Sequence, residues 1–173
     1  MKSAAVPEAR LKPRDRALIA AAREIIRRRF CRDKHHVGAA LRTKSGRVFT
    51  GVHLDTYVGR VAICAEAVAL GSAATAGDSD IEVIVAVRYT GQVVSPCGMC
   101  REMIADFSPQ ARVIVPVDGK YAVLPVLDLL PHKFQKGNSQ PSPRRGEGRD
   151  ERGESGARGA GRNPRSAIRN RKP

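Results

Sequence analysis

Leu18, Ile19, Ala22, Ile25, Ile26 and Phe30 recur at the three- and four-residue spacing of a helix, opposite Arg16, Arg23, Arg27 and Arg28. The pattern predicts an amphipathic helix opening the folded part of the chain, with Asp15 capping its start and Cys31 carried on it as a packing residue. Val37 to Arg42 and Arg47 to His53 then read as two strands around Lys44-Ser45-Gly46, a turn composition that predicts an antiparallel hairpin. An Ala-rich helix follows from about Cys64 to Thr75, ended by Gly77. Ile81 to Val87 is an almost unbroken β-branched run with Glu82 as its one charge, the pattern of a central strand buried on both faces. After Ser95-Pro96 a helix is expected from Cys97 to Phe107, then a strand from Arg112 to Val117 and a last short helix over Val126 to Leu130.

A helix, a hairpin and then strand-helix units predict an α/β chain with a mixed sheet and helices on both faces. The pattern stops at Gln135, beyond which Ile168 is the only large aliphatic residue. Composition sharpens that boundary. Of 31 basic and 17 acidic residues, residues 135–173 hold 11 and 4, so this tail carries 11 − 4 = +7 of the total +14. It has too little apolar surface to offset the entropy of ordering. The expectation is therefore a domain over residues 1–134 and a disordered basic Arg/Gly/Pro-rich tail over 135–173. No run of ~18 apolar residues occurs, and the charged stretch through Arg16 lacks the apolar core of a signal peptide. This predicts a soluble, cytoplasmic chain with no membrane contact, in which four cysteines serve as ligands or a nucleophile rather than as a disulfide framework.

Three of those cysteines are arranged for chemistry. Cys97-Gly98-Met99-Cys100 follows Pro96 at the start of a predicted helix, and a two-residue gap lets both thiolates reach one ion across the first turn. A redox pair has the same spacing, but it has no use for a third cysteine beside an acid at another helix start, which Cys64-Ala65-Glu66 supplies. Three thiolates fill three corners of a zinc tetrahedron and leave the fourth for water, the catalytic arrangement. Glu66 is then placed to take a proton from that water and return it to the substrate. Without the cysteines, the same glutamate would read as a solvated helix-start carboxylate favoured by the dipole.

A ligand, one residue, Glu, and then Pro-Cys-x-x-Cys is the layout of the zinc-dependent nucleobase deaminases. Val37-Gly38-Ala39-Ala40, Phe49-Thr50-Gly51, Cys64-Ala65-Glu66, Ser95-Pro96-Cys97-Gly98-Met99-Cys100-Arg101 and Leu129-Leu130-Pro131 together resemble the small cytidine deaminases, including their blasticidin-S deaminase branch. The resemblance covers about residues 15 to 134. It implies a three-layer α/β/α sandwich around a five-stranded mixed sheet, a homotetramer, and Zn2+ held by Cys64, Cys97 and Cys100. It also implies hydrolysis of the 4-amino group of a cytosine nucleoside with release of ammonia, Glu66 being catalytic, and a role in pyrimidine salvage. Where relatives place an Arg after the catalytic Glu this chain has Ala67, and Arg101 becomes the expected cation behind the ligands.

The same resemblance places the substrate against His53, Asp55, His35 and Ala65. Relatives that act on free nucleosides carry Asn, an apolar residue and Glu where this chain reads His53-Leu54-Asp55, and an aromatic where it reads His35. Tyr57 is a second candidate for lining the pocket, and His132 and Phe134 lie where relatives close a neighbour's site. Cytidine or deoxycytidine is the expected substrate; a cytosine-nucleoside antibiotic of the blasticidin-S type is the alternative. A polynucleotide-editing or nucleic-acid-binding protein is a third reading, prompted by the basic tail and its capacity for weak phosphate contact. It is disfavoured by the short core, by cysteine as first ligand, and by a tail without aromatics for bases to stack on.

Overall fold

In a computed structural model, which describes residues 11–134, Val37–Thr43 (β1) and Val48–Val52 (β2) form the expected hairpin, with Gly46 at φ 92° in its turn. Ile81–Arg88 (β3) lies antiparallel to β1 on its other side, and Arg112–Val117 (β5) lies parallel to β3. Lys120–Pro125 (β6) pairs antiparallel with β5, giving the order β2-β1-β3-β5-β6. A two-residue strand, Val93–Val94 (β4), adds to β3 off this path, so the sheet has six strands where the resemblance implied five.

The sequence pattern missed β6, though a signal for it was present. Asp118-Gly119 joins β5 to β6 with φ of 47° and 75°, two left-handed residues in a row, the conformation that a tight hairpin demands and that Asp-Gly adopts readily.

The run from Val83 to Val87 in β3 is apolar because both of its faces are covered. Val83, Val85 and Val87 meet Leu18, Ile19 and Ala22 of the helix Pro13–Arg29 (α1). Ile84 and Ala86 meet Ala69, Leu70, Ile104 and Ala105 from Ala65–Thr75 (α2) and Gly98–Phe107 (α3). The three-layer α/β/α architecture follows from that alternation.

Details of α1 differ from expectation. Lys12 is the N-cap and Pro13 the first helical residue; Asp15 sits in the first turn, where its carboxylate accepts the Lys12 N–H. Asp15 is buried because it pairs with Arg42 of β1 at 3.0 Å, and Arg42 also reaches Glu82 at 2.7 Å. Glu82, the one acidic residue of the central strand, thereby ties α1, β1 and, through Arg112, β5 together. The helix ends at Arg29, so Cys31 lies in the following turn and is exposed rather than packed, while Phe30 stacks on Tyr89 at 4.8 Å. The last short helix is a 3-10 turn, Val126–Leu129. No helix among the described residues is long and apolar enough to cross a membrane. The tail assigned to residues 135–173 lies outside the described residues.

Two glycines let helices approach the sheet from opposite sides. A Cβ on Gly51 would stand 2.5 Å from the Ala69 nitrogen and 2.6 Å from the Ala65 oxygen of α2. On Gly38 it would stand 2.7 Å from the Ala22 oxygen of α1. These are backbone atoms that cannot swing aside. Gly51→Ala is expected to cost about 1–3 kcal/mol through overpacking, whereas Gly71→Ala, mid-helix with open space around it, should gain about 0.5–1 kcal/mol. Chemical denaturation of both variants checks the contrast, and equal effects would contradict it.

Candidate metal and active site

The close approach at Gly51 fixes where α2 begins, and with it Cys64, the N-cap residue. Cys97 is likewise the N-cap of α3, and neither cysteine uses its side chain to cap its own helix. Both sulfurs are therefore free to face outward from two helix starts, where the positive ends of the dipoles favour thiolate. Cys100 lies one turn into α3 and is buried in the core.

The three Sγ atoms lie within 4.8 Å of one another, with Cys64 and Cys97 at 3.7 Å. That separation is far too long for a disulfide bond of about 2.05 Å. It matches the edge of a tetrahedron drawn around zinc with Zn–S bonds of ~2.3 Å, which is about 3.8 Å. With the third sulfur within 4.8 Å of both, one buried, one half-buried and one exposed, the three fill three corners of such a site and leave the fourth open. The donor set fits zinc.

Charge explains why a cation belongs here. Burial pushes the Cys64 thiol up, with Cys97 and Glu66 adding to the rise. Burial pushes Cys100 strongly up, and the carboxylate of Glu66 and the two other thiols push the same way. Partial desolvation pushes the exposed Cys97 thiol up as well, but hydrogen bonds from Cys100 and Cys64 outweigh that and bring it down. Three thiolates and a carboxylate in one place repel one another, and a dication reverses that balance.

Glu66 is the second helical residue of α2 and only 6% exposed. It shares a tight apolar pocket with Ile84, Ala86, Pro96 and Ile104. Burial raises its pKa, although its own backbone and the Cys100 thiol pull the other way. A helix N-terminus favours the anion, but desolvation is the larger effect. The result is a carboxyl beside the sulfur triangle that holds a proton more readily than an exposed glutamate would.

The polar end of β2 comes to the same place. Leu54 and Ile63 form an isolated antiparallel bridge, exchanging hydrogen bonds of 2.9 and 3.0 Å. Extending that register by one residue sets His53 opposite Cys64, so both side chains leave the same face while Leu54 and Ile63 leave the other. The Nδ1 of His53 is buried without a partner among the described residues, and burial lowers the pKa of the ring. His35 donates from Nδ1 to the His53 carbonyl at 2.7 Å, which holds its imidazole against the end of β2. Asp55 accepts the Thr56 N–H on Oδ1 and turns Oδ2 toward His36 at 3.9 Å. Ala65, the first residue of α2, is buried next to Cys64.

The structure thus gathers Cys64, Cys97, Cys100 and Glu66 where α2 and α3 begin, with Ala65 next to Cys64, and gathers His35, His53 and Asp55 at the end of β2 that the Leu54–Ile63 bridge ties to the segment entering α2. His36 joins the cluster through its ring contact with His53 at 5.8 Å and its approach to Asp55. The sequence signal for it was only its adjacency to His35. Tyr57 does not line the pocket; it is fully exposed, with the Lys34 ammonium 5.0 Å above its ring. His132 and Phe134 are exposed at the end of the described chain. Arg101 donates from Nε to the Pro96 carbonyl at 2.9 Å and from Nη1 to the Leu129 carbonyl at 3.0 Å.

Comparison with known proteins agrees with this geometry. Residues 12–116 match the model of the cytidine and deoxycytidylate deaminase zinc-binding region. The chain belongs to that deaminase family. Blasticidin-S deaminase of Bacillus cereus is 43% identical to this deaminase over 130 residues, covering 70% of this chain and 93% of the relative. Cytidine deaminase of Halalkalibacterium halodurans is 33% identical over 103 residues, covering 58% and 78%. The crystal structure of cytidine deaminase from Burkholderia pseudomallei superimposes with a TM-score of 0.59 at 34% identity, covering 69% of this chain and 98% of that one.

Because burial holds two of the deaminase's thiols protonated, zinc uptake must displace protons. Its zinc affinity should therefore fall with decreasing pH, on the order of tenfold per unit for each proton displaced. Chelator competition at several pH values measures the slope; a flat profile would contradict the thiol ligand set.

Proposed function

We propose that this deaminase hydrolyses the 4-amino group of cytidine or deoxycytidine, yielding the uracil nucleoside and ammonia. The observation that carries the reading is the sulfur triangle with the buried carboxyl of Glu66 beside it. Cys64, Cys97 and Cys100 hold the zinc. Bound there, zinc supplies a Lewis acid that brings the acidity of water to roughly neutral pH.

Every other step belongs to the chain's own residues. Glu66 takes a proton from the attacking water and delivers it to N3 of the ring as the oxygen adds at C4. It then passes the second proton to the departing amino nitrogen, so the C4–N4 bond breaks to give ammonia and C4 keeps the oxygen as a carbonyl. A carboxyl in an apolar pocket suits both transfers, because its raised proton affinity lets it cycle near neutral pH. Ala65 offers a small, buried wall beside the ring, and His35 flanks it. His53 and Asp55 hold the sugar hydroxyls, Asp55 through the carboxylate oxygen that Thr56 leaves free.

The second reading, deamination of a cytosine-nucleoside antibiotic of the blasticidin-S type, rests on the 43% identity to the Bacillus cereus enzyme. The chemistry at C4 is the same, and the sugar-side pocket makes the choice. His53-Leu54-Asp55 in place of Asn, an apolar residue and Glu changes that pocket. Turnover of cytidine, deoxycytidine and blasticidin S measured side by side ranks them. A homotetramer, a cytoplasmic location and a place in pyrimidine salvage follow from the family resemblance.

Glu66→Gln should retain about one zinc per chain and lose roughly 10²- to 10⁴-fold in kcat; loss of the metal along with turnover would give Glu66 a different role. Asp55→Ala should raise KM for the nucleoside by about 10-fold to 100-fold, the effect of one charged hydrogen bond. An unchanged KM would mean that the sugar is held elsewhere.

A further inference from the structure

Arg101 follows the last ligand cysteine, and its guanidinium is engaged by two backbone carbonyls. Nε donates to Pro96, the residue immediately before Cys97, at 2.9 Å, and Nη1 donates to Leu129 at 3.0 Å. Its backbone N–H donates to the Cys97 carbonyl at 3.0 Å. One residue therefore joins the loop that carries Cys97, the helix that carries Cys100, and a turn 28 residues further along the chain.

A second cation repeats the connection. Lys133 Nζ pairs with Glu102 Oε2 at 2.8 Å and Asp106 Oδ1 at 2.7 Å, both on α3. Between these anchors Leu129 and Leu130 pack against the core cluster that contains Cys100 and Ile104. Residues 126–134 thus lie along α3 as a strap, tied through Leu129 beside the metal loop and through Lys133 to the middle and C-terminal part of the helix.

The strap matters because packing alone does not hold Cys97. Cys97 is exposed, a Cβ on Gly98 would meet nothing within 4 Å, and Met99 is 72% exposed. Pro96, the residue before it, is buried against Ile84 and Ile104, and the Arg101 fork is the one side-chain donor to the Pro96 carbonyl among the described residues, so Cys97 is held through Pro96 by packing and by this hydrogen bond together.

We infer that Arg101 is a positioning residue of the metal centre and that residues Val126–Phe134, anchored through it and Lys133, set how tightly Cys97 and Cys100 hold zinc. The inference rests on the reading of the three cysteines as zinc ligands. A planar fork can serve two separated carbonyls at once, which a lysine ammonium does poorly. Groups that orient metal ligands from behind contribute about 10- to 100-fold in affinity.

The test uses the full chain and reads the metal directly. Zinc affinity is measured by chelator competition, and cobalt is substituted to give the thiolate charge-transfer and d–d spectrum. Arg101→Met should weaken zinc about 10- to 100-fold and shift the cobalt bands, Arg101→Lys should recover only part, and Lys133→Met should weaken zinc by a smaller factor. Wild-type affinity and an unshifted cobalt spectrum in Arg101→Met would overturn the inference, even if the metal-free protein melted at a lower temperature. If Arg101→Met does not fold, unchanged zinc affinity in both Arg101→Lys and Lys133→Met overturns it instead. Wild-type protein that takes up no zinc would overturn the ligand reading itself, a result distinct from any outcome in the variants.

Discussion

Three sulfurs within 4.8 Å of one another, carried on the first turns of two helices, are the constraint around which this fold is organised. Thiolates so close repel, and burial makes the charged forms of Cys64 and Cys100 costly. Helix dipoles soften that cost by well under the several kcal/mol that desolvation imposes. A divalent cation is what turns the cluster from a liability into a bound site. The metal is in that sense part of the fold's electrostatics, and Glu66 inherits its raised proton affinity from the same dry surroundings.

Holding two helix starts at such a spacing requires the sheet to be a rigid, closely approached platform. Alternation along β3 covers both faces with helices, and Gly51 lets α2 come near enough that a single methyl group would collide with its backbone. Gly38 does the same for α1 on the reverse side. The Arg42, Asp15 and Glu82 network then ties α1 to three strands at one end of the sheet, away from the cysteines. Rigidity is supplied by packing and ion pairs on one end, so chemistry can occupy the other.

The substrate-side residues depend on a weaker device. One isolated bridge, Leu54 to Ile63, returns the chain after β2 so that His53 lies opposite Cys64. Leu54, Tyr57, Val58, Val61 and Ile63 remain exposed around it. On the proposed reading this segment forms the sugar side of the pocket, and it is the part of the site least determined by the core.

Much of this was legible before any coordinates. Apolar periodicity located α1, β3 and β5 because those segments bury fixed faces, and Cys64, Glu66, Cys97 and Cys100 were recognisable because zinc chemistry tolerates few donor sets and spacings. The N-cap of α1 lies three residues before the one expected at Asp15; Asp15 has the chemistry of a cap, and only its pairing with Arg42 shows why it is drawn inside. β6 escaped because a short strand at the sheet's edge alternates weakly, although its Asp118-Gly119 turn announced it. Local sequence determined the elements and the donor atoms, which depend on neighbours a few residues apart. The contacts that join Arg101 to Leu129, Leu54 to Ile63 and Gly51 to α2 were decided only by the tertiary fold, because they connect residues whose separation along the chain carries no periodic signal.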